Sequence, residues 1–164
     1  GSSVNVCQAY EHKPFKPPTL KDMFVTSNYV EEVESPASAD FVKRFRAKFP
    51  KEPYINQEAA NSYTAVYLYA KAVEKAKTTD KKAVAKALES GDICHDGPSG
   101  KVCIDPKRHH QSHTIYLVHV QGDHSVKIPK VWNDIKPYWL GDVGCDLSKK
   151  PDYSQYTPSS LPKK

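Results

Sequence analysis

A long amphipathic helix constrains the fold of this chain more than any other feature of its sequence. Apolar residues recur at helical spacing from about Gln57 to Lys77. The predicted apolar stripe consists of Ala59, Tyr63, Val66, Tyr67, Ala70 and Val73. Charged residues occupy the other side of the segment. A stripe this rich in tyrosine needs a broad apolar partner, so the rest of the fold has to supply one.

Local signals place two more helices and several strands around this helix. Ser35 and Pro36 predict the start of the helix before it, because serine caps a helix and proline suits its first position. Thr79 and Asp80 indicate the start of a third helix in the same way. Strand-forming residues and turn signals predict a strand, a hairpin and two more strands, at residues 24–30, 94–103, 113–120 and 125–128. This order of elements predicts an α/β fold.

The two ends of the chain differ from the middle. Residues 1–23 are rich in proline and lysine and predict an extended arm, and they contain no recognisable signal peptide. After Pro129 the chain has aromatic residues but no periodicity, so we expect this tail to wrap a surface that orders it. Only 38% of the 164 residues are hydrophobic, which is lean for a self-sufficient core. We therefore expect the chain to pack against the surface of a partner.

Composition and motifs exclude several functions. No apolar run approaches the roughly 20 residues of a membrane span. The net charge of +5 is spread over the chain among acidic residues, whereas nucleic-acid surfaces concentrate their basic residues, so we expect no nucleic-acid partner. GxSxG, HExxH and Walker motifs are missing. We therefore expect no enzyme activity and no cofactor.

Four cysteines point to an oxidising compartment. Cys94 and Cys103 flank a strong turn signal, so a hairpin there would allow the two sulfurs to bond. Cys7 and Cys145 would then remain as a long-range pair. Four cysteines permit three pairings, and the sequence does not choose among them.

A cluster of histidines raises metal binding as an alternative function. His109, His110 and His113 lie close together in the sequence, and imidazoles are common ligands of zinc and copper. However, adjacent residues of a strand point in opposite directions, and the spacing fits no helical histidine motif. The cluster therefore indicates either a small periplasmic metal-binding protein or a loop that carries histidines by chance.

Two groups of polar residues also have alternative interpretations. Glu31, Glu32 and Glu34 predict a solvated loop before the first helix. At the start of the long helix, Glu58 and Asn61 are candidate polar contacts if that end faces a ligand cleft, because free N–H groups there attract polar and anionic groups. The alternative is that this helix simply packs at the edge of a core.

Ordered motifs over about residues 24–130 carry a resemblance to a known family. They are NYV at 28–30, SPASADFV at 35–42, RFRAKF at 44–49, EAANSYTAVYL at 58–68, GPSGKVCID at 97–105, His110, and IYLVHV at 115–120. Together they resemble the C-terminal half of the type I periplasmic binding proteins of ABC transporters. The resemblance is strongest to the urea and short-chain-amide branch and to the branched-chain amino acid branch.

The resemblance implies a particular fold and domain arrangement. This family has two lobes, each a three-layer αβα structure, joined by a hinge, and this chain would hold an incomplete sheet of that fold. Residues 1–23 would form an arm near the hinge, and residues 24–118 would form the second part of the N-terminal lobe. Residues 119–164 would recross the hinge and pack as a tail on the C-terminal lobe.

The resemblance also implies a function. The chain would be the substrate-binding component, or a fragment of it, of a periplasmic or extracytoplasmic ABC uptake system. It would bind a small polar solute such as urea, a short amide or an amino acid. A ligand-sensing regulatory module of the same fold is a second possibility.

Partners and site residues follow from the same resemblance. The partners would be the small ligand, the membrane permease and the missing N-terminal half of the fold, in the same protein or in a second chain. Tyr29, Glu58 and Ala60 match cleft-facing segments of the family and are the ligand-binding residues that it implies.

Overall fold

A computed structural model describes residues 14–136 of the chain. Cys7 and Cys145, most of the predicted arm and most of the predicted tail lie outside the described residues. Within residues 14–136, no helix combines the length and the apolar character that crossing a membrane requires.

The order of elements predicted from the sequence is confirmed. The elements are β1 (Phe24–Ser27), α1 (Pro36–Lys48), α2 (Gln57–Ala76), α3 (Lys81–Leu88), β2 (Cys94–Gly97), β3 (Gly100–Ile104), β4 (Gln111–Val120) and β5 (Val126–Ile135). They form a mixed α/β structure in which the strand order is β1-β4-β3-β2 and β5 also pairs with β4. The chain divides into two compact units, which are described separately below.

Strand β5 continues well past the predicted end at Ile128. The sequence pattern stops there because Pro129 removes a backbone donor, and proline ordinarily interrupts a strand. In the structure, the register between β4 and β5 shifts between Leu117 and His119 and again between His113 and Ile115. Such irregularities accommodate an extra residue in one strand, so β5 passes Pro129 without losing its pairing to β4.

Local capping explains where α1 begins. The side chain of Ser35 accepts a hydrogen bond from the backbone N–H of Ser38 at 3.1 Å, and Pro36 occupies the first turn. The helix ends at Lys48, two residues before Pro50. The N-cap and the terminating proline were both recognisable because they act within a few residues of the chain.

Replacing Ser35 with alanine tests the cap of α1. We expect the free energy of unfolding to fall by about 1 kcal/mol, because the N–H of Ser38 loses its acceptor. Urea unfolding followed by circular dichroism measures the change. Ser62→Ala, at an exposed position within α2, is the matched control and is expected to leave the stability almost unchanged. An equal loss in the two variants would contradict the assigned cap.

The first unit contains the main hydrophobic core. Its described residues are 14–67, 95–102 and 113–135. Strand β4 pairs antiparallel with β1 and with β5, and its alternate residues Tyr116, Val118 and Val120 are buried. They pack in one cluster with residues of β1, the following loop, α1 and the start of α2. The core thus joins the end of β1 to the beginning of α2.

The predicted apolar stripe of α2 is only partly confirmed. Its residues Ala59, Tyr63 and Val73 are partly buried and pack against the hydrophobic clusters. The buried residues of this helix recur every four positions, at Ala60, Thr64, Leu68 and Ala72. By contrast, Val66 is 67% exposed and Tyr67 is 41% exposed. Small side chains such as alanine and threonine allow a helix to approach its neighbours closely, so they occupy the buried face of α2. The larger apolar residues of the sequence predict a different face.

The aromatic side of α2 is stabilised by contacts among rings. Tyr63 packs against Tyr67 with ring centroids 4.8 Å apart, and Tyr67 stacks on His95 at 4.5 Å. The guanidinium of Arg44 donates to the hydroxyl of Tyr63 at 2.7 Å. These contacts account for aromatic residues at positions that remain partly exposed.

The predicted solvated loop at residues 31–34 is more ordered than the sequence indicated. The carboxylate of Glu31 accepts hydrogen bonds from Arg46 and from the backbone N–H of Ile55. Glu32 accepts from the hydroxyl of Tyr54 at 2.6 Å. Glu34 alone of the three acidic residues is exposed, as predicted. Partners far along the chain, which local patterns do not reveal, therefore hold this loop.

The second unit is small and is built around α3. Its described residues are 68–94, 103–112 and 136. Ala72, Val84 and Ala87 form its buried cluster. Cys94 and Cys103 form a disulfide with a Cα–Cα distance of 4.1 Å, which is one of the pairings that the sequence left open.

Removing this disulfide with the double variant C94S/C103S is expected to lower the free energy of unfolding by about 2 to 3 kcal/mol. The bond closes a segment with a sequence separation of 9, and a closed loop of that size restricts the unfolded chain. Urea unfolding under non-reducing conditions measures the loss. Adding a reductant should destabilise the parent chain by a similar amount, and a parent chain insensitive to reductant would contradict this expectation.

Candidate ligand-binding site

Polar side chains converge in the first unit where β1 ends, α2 begins and β4 begins. We call these five residues the polar cluster: Ser27, Asn28, Gln57, Asn61 and His113. Asn28 follows directly after β1, and Asn61 lies on the second turn of α2. The ends of strands and the beginnings of helices are where α/β proteins commonly bind ligands.

Ser27 links the end of β1 to the first residue of α2. Its Oγ lies 2.8 Å from the carbonyl oxygen of Tyr29 and 3.0 Å from Oε1 of Gln57. The backbone N–H of Tyr29 donates back to the same oxygen at 3.3 Å. Ser27 is buried, so these contacts satisfy its hydroxyl and fix the chain direction after the strand.

Asn28 connects α2 with β4. Its Nδ2 donates to Oδ1 of Asn61 at 2.9 Å and to Nδ1 of His113 at 3.2 Å. Nδ1 of His113 therefore accepts, and the neutral ring carries its proton on Nε2. Burial lowers the pKa of His113, which favours this neutral form. The cluster thus presents amides and an uncharged imidazole.

The beginning of α2 adds a polar edge to the cluster. Oδ1 of Asn56 accepts from the backbone N–H of Ala59 at 3.1 Å. Glu58 is exposed in the first turn, and its carboxylate accepts from Nε2 of Gln57 at 3.4 Å. A hydrogen-bonding ligand at this helix end would meet one carboxylate and several amide groups.

The three residues implied by the resemblance occupy different environments. Glu58 is exposed beside the polar cluster, whereas Tyr29 and Ala60 are fully buried in the core of the first unit. The hydroxyl of Tyr29 lies 3.0 Å from Oγ of Ser38, and its ring meets Phe41 edge-on at 5.9 Å. Tyr29 and Ala60 therefore adjoin the cluster through the backbone, next to Asn28 and Asn61.

Sequence reasoning named Asn61 but missed Ser27, Asn28, Gln57 and His113 as members of the cluster. His113 was considered only as a metal ligand. The available signal was the polar residue Asn28 within the predicted strand at residues 24–30, together with polar residues at the start of the long helix. The contact between Asn28 and His113 spans 85 residues of sequence, so no local pattern contains it.

The predicted histidine cluster has other partners in the structure. His109 lies 2.9 Å from a carboxylate oxygen of Glu89, His110 is exposed, and His113 belongs to the polar cluster. Among residues 14–136, no group of three or more histidine, cysteine, aspartate or glutamate side chains is arranged to hold a metal ion.

The stability of the first unit is expected to depend on pH in the alkaline range, because Tyr29 ionises there. Burial raises the pKa of Tyr29 to about 12 from its ordinary value of 10.0. The unfolded chain therefore loses this proton first as the pH rises, so stability is complete below pH 10 and falls until about pH 12. A rise of the pKa from 10.0 to about 12 corresponds to about 3 kcal/mol. Tyr29→Phe should flatten this part of the stability profile, measured by urea unfolding between pH 9 and 12.

Comparisons with known proteins agree with this architecture. The family model described as periplasmic binding protein matches residues 4–125. A solute-binding protein of an ABC transporter from Rhodopseudomonas palustris HaA2, solved with p-hydroxybenzoic acid, superposes with a TM-score of 0.65 at 20% identity. A leucine-binding protein from Thermotoga maritima superposes with a TM-score of 0.56 at 23% identity.

The matches extend over most of this chain but little of the other proteins. The two structures align with 75% and 70% of this chain, and with 34% and 31% of their own chains. A protein of Geobacillus stearothermophilus named limonene hydroxylase is 23% identical over 111 residues, which are 68% of this chain and 20% of that protein. The chain thus spans about a third of the solved relatives and a fifth of the curated one. Because the family model matches about three quarters of the sequence, the chain belongs to the periplasmic binding protein family.

Proposed function

We propose that this chain forms part of an extracytoplasmic solute-binding protein of an ABC uptake system and that its polar cluster contributes to the ligand site. The observation that carries the proposal is the convergence of Asn28, Asn61 and His113 at the end of β1 and the start of α2. Membership of the periplasmic binding protein family supports it. Binding by such a site needs no covalent chemistry, because enclosure and hydrogen bonding hold the solute.

The chemistry of the cluster favours a small polar solute. Its side chains provide amide donors and acceptors, a neutral imidazole and the exposed carboxylate of Glu58. Urea, a short amide or an amino acid through its ammonium group would find matching partners. In this proposal Glu58 contacts the solute. Tyr29 and Ala60 are buried next to Asn28 and Asn61 in the sequence, and they hold the backbone that carries these two asparagines.

The proposal includes partners for the rest of the fold. We assign residues 24–118 to the second part of one lobe and residues 119–164 to the hinge and the other lobe. Phe24 is 46% exposed and Trp132 is 38% exposed. They pair with His119 and Ile115 of β4, on the face opposite the buried Tyr116 and Val118. This apolar face suits the remaining half of the fold, in the same protein or in a second chain, and the closed protein would deliver its solute to a membrane permease.

Calorimetric titration with urea, acetamide and leucine tests the proposed function. The chain is titrated alone and with the N-terminal half of a family member supplied as a second chain. We expect saturable binding of at least one solute, and Asn61→Ala should weaken it at least 10-fold because the amide hydrogen bond between Asn28 and Asn61 is lost. Ser62→Ala is the control. Stoichiometric zinc or copper in tag-free protein, with no solute bound in either titration, would overturn the proposal.

A further inference from the structure

We propose that Asn28 is a specificity-determining residue whose Oδ1 accepts a hydrogen bond from the solute and whose orientation is set by His113. This inference rests on the proposed function, because it assigns a role within the same site. It predicts that the solute carries an N–H or O–H donor where it meets Asn28. A carboxylate of the same shape lacks such a donor and is disfavoured.

The hydrogen bonds of Asn28 leave only its side-chain oxygen, Oδ1, available to a solute. An amide nitrogen has two protons, and both are engaged, one by Asn61 at 2.9 Å and one by His113 at 3.2 Å. Oδ1 of Asn28 is buried and has no hydrogen-bond partner among residues 14–136. Buried acceptors without partners are rare in native proteins because each one costs free energy. A donor supplied by a solute would remove that cost.

The orientation of this amide is fixed rather than free. If Asn28 alone turned over, with His113 protonated on Nε2 and Asn61 unchanged, its Oδ1 would face Oδ1 of Asn61 and Nδ1 of His113, which are both acceptors in that arrangement. Such a contact lacks a proton and is repulsive, so the oxygen stays on the unpaired side. His113 therefore acts as a positioning residue, and it does so in its neutral form, which the burial of the ring favours.

The buried position of the oxygen links selectivity to enclosure of the solute. A solute meets Oδ1 of Asn28 only after displacing the groups that cover it, as happens when a binding protein rearranges around its ligand. A primary amide then donates one N–H to this oxygen. A carboxylate places a second acceptor against it and leaves the buried acceptor unpaired. Discrimination of about 10- to 100-fold between the two is expected for one such contact.

The test compares matched amides and acids by calorimetric titration. The probes are acetamide against acetate and 4-hydroxybenzamide against 4-hydroxybenzoate, used on the full chain under the conditions of the solute titrations above. The parent chain is expected to bind the amide of a pair at least 10-fold more tightly than the acid. Asn28→Leu should reduce this ratio to about 1. Asn133→Leu, at an exposed asparagine of β5, is the matched control and should leave the ratio unchanged.

His113 provides an independent arm if Asn28→Leu fails to fold. His113→Leu removes the acceptor that fixes the amide, so the amide-to-acid ratio should fall although solute binding persists. His113→Gln retains an acceptor and should restore the ratio. Tighter or equal binding of the acids by the parent chain would overturn the inference and leave the proposed function standing. Absence of binding by every solute would overturn both.

Discussion

Replacing Tyr29 with alanine is expected to lower the free energy of unfolding by about 3 to 5 kcal/mol. The side chain is fully buried in the main core, where its ring meets Phe41 edge-on. Its removal creates a cavity and also leaves the buried hydroxyl of Ser38 without the contact at 3.0 Å. Both effects have the same sign, which makes this substitution the most damaging that we expect in the first unit.

Two variants separate these contributions in urea unfolding experiments. Tyr29→Phe keeps the ring and removes only the hydroxyl, so about 1 kcal/mol should be lost at neutral pH. Tyr69→Ala removes a tyrosine that is 52% exposed and should cost less than about 1 kcal/mol. If Tyr29→Ala were no more destabilising than Tyr69→Ala, the assignment of Tyr29 to the core would be wrong.

The second large effect concerns the buried face of α2. Leu68 is 2% exposed, and Leu68→Ala is expected to cost about 2 to 4 kcal/mol through lost burial and the cavity left behind. Val66 lies on the same helix at 67% exposure, and Val66→Ala should change the stability by less than about 0.5 kcal/mol. Both are measured by urea unfolding followed at 222 nm.

This pair of substitutions distinguishes the two faces of the helix directly. The apolar stripe predicted from the sequence contains Val66 and not Leu68, so it predicts the opposite ranking. If Val66→Ala lowered the free energy of unfolding more than Leu68→Ala, the face predicted from the sequence would be the buried one. The comparison needs no functional assay, and both changes replace an aliphatic side chain with alanine in the same helix.

Signals that act over a few residues predicted much of this fold. Ser35 and Asp80 cap their helices in the structure, and the turn between Cys94 and Cys103 closes a hairpin with the disulfide. Each of these features depends on neighbouring residues, so a local sequence pattern predicts it. The resemblance to periplasmic binding proteins predicts the fold class in the same way, because it rests on short motifs and on the order in which they occur.

Features that depend on distant partners were predicted poorly. The stripe of α2 is only partly correct, because hydrophobicity ranks Tyr67 and Val66 above Ala60, whereas packing selects the small side chain. The polar cluster was only partly foreseen, since Asn28 meets Asn61 and His113 across 33 and 85 residues. The continuation of β5 beyond Pro129 likewise depends on its pairing with β4.

The pairing of β4 determines which backbone amides of the first unit exchange last with deuterated water. Residues Tyr116 to His119 lie between β1 on one side and β5 on the other, while the outer strands have one partner each within this part of the sheet. Exchange at these positions requires two sets of strand contacts to separate together, so their protection should approach that of global unfolding. The centre of β4 would thus retain its protons longest, while the ends of β5 would exchange early.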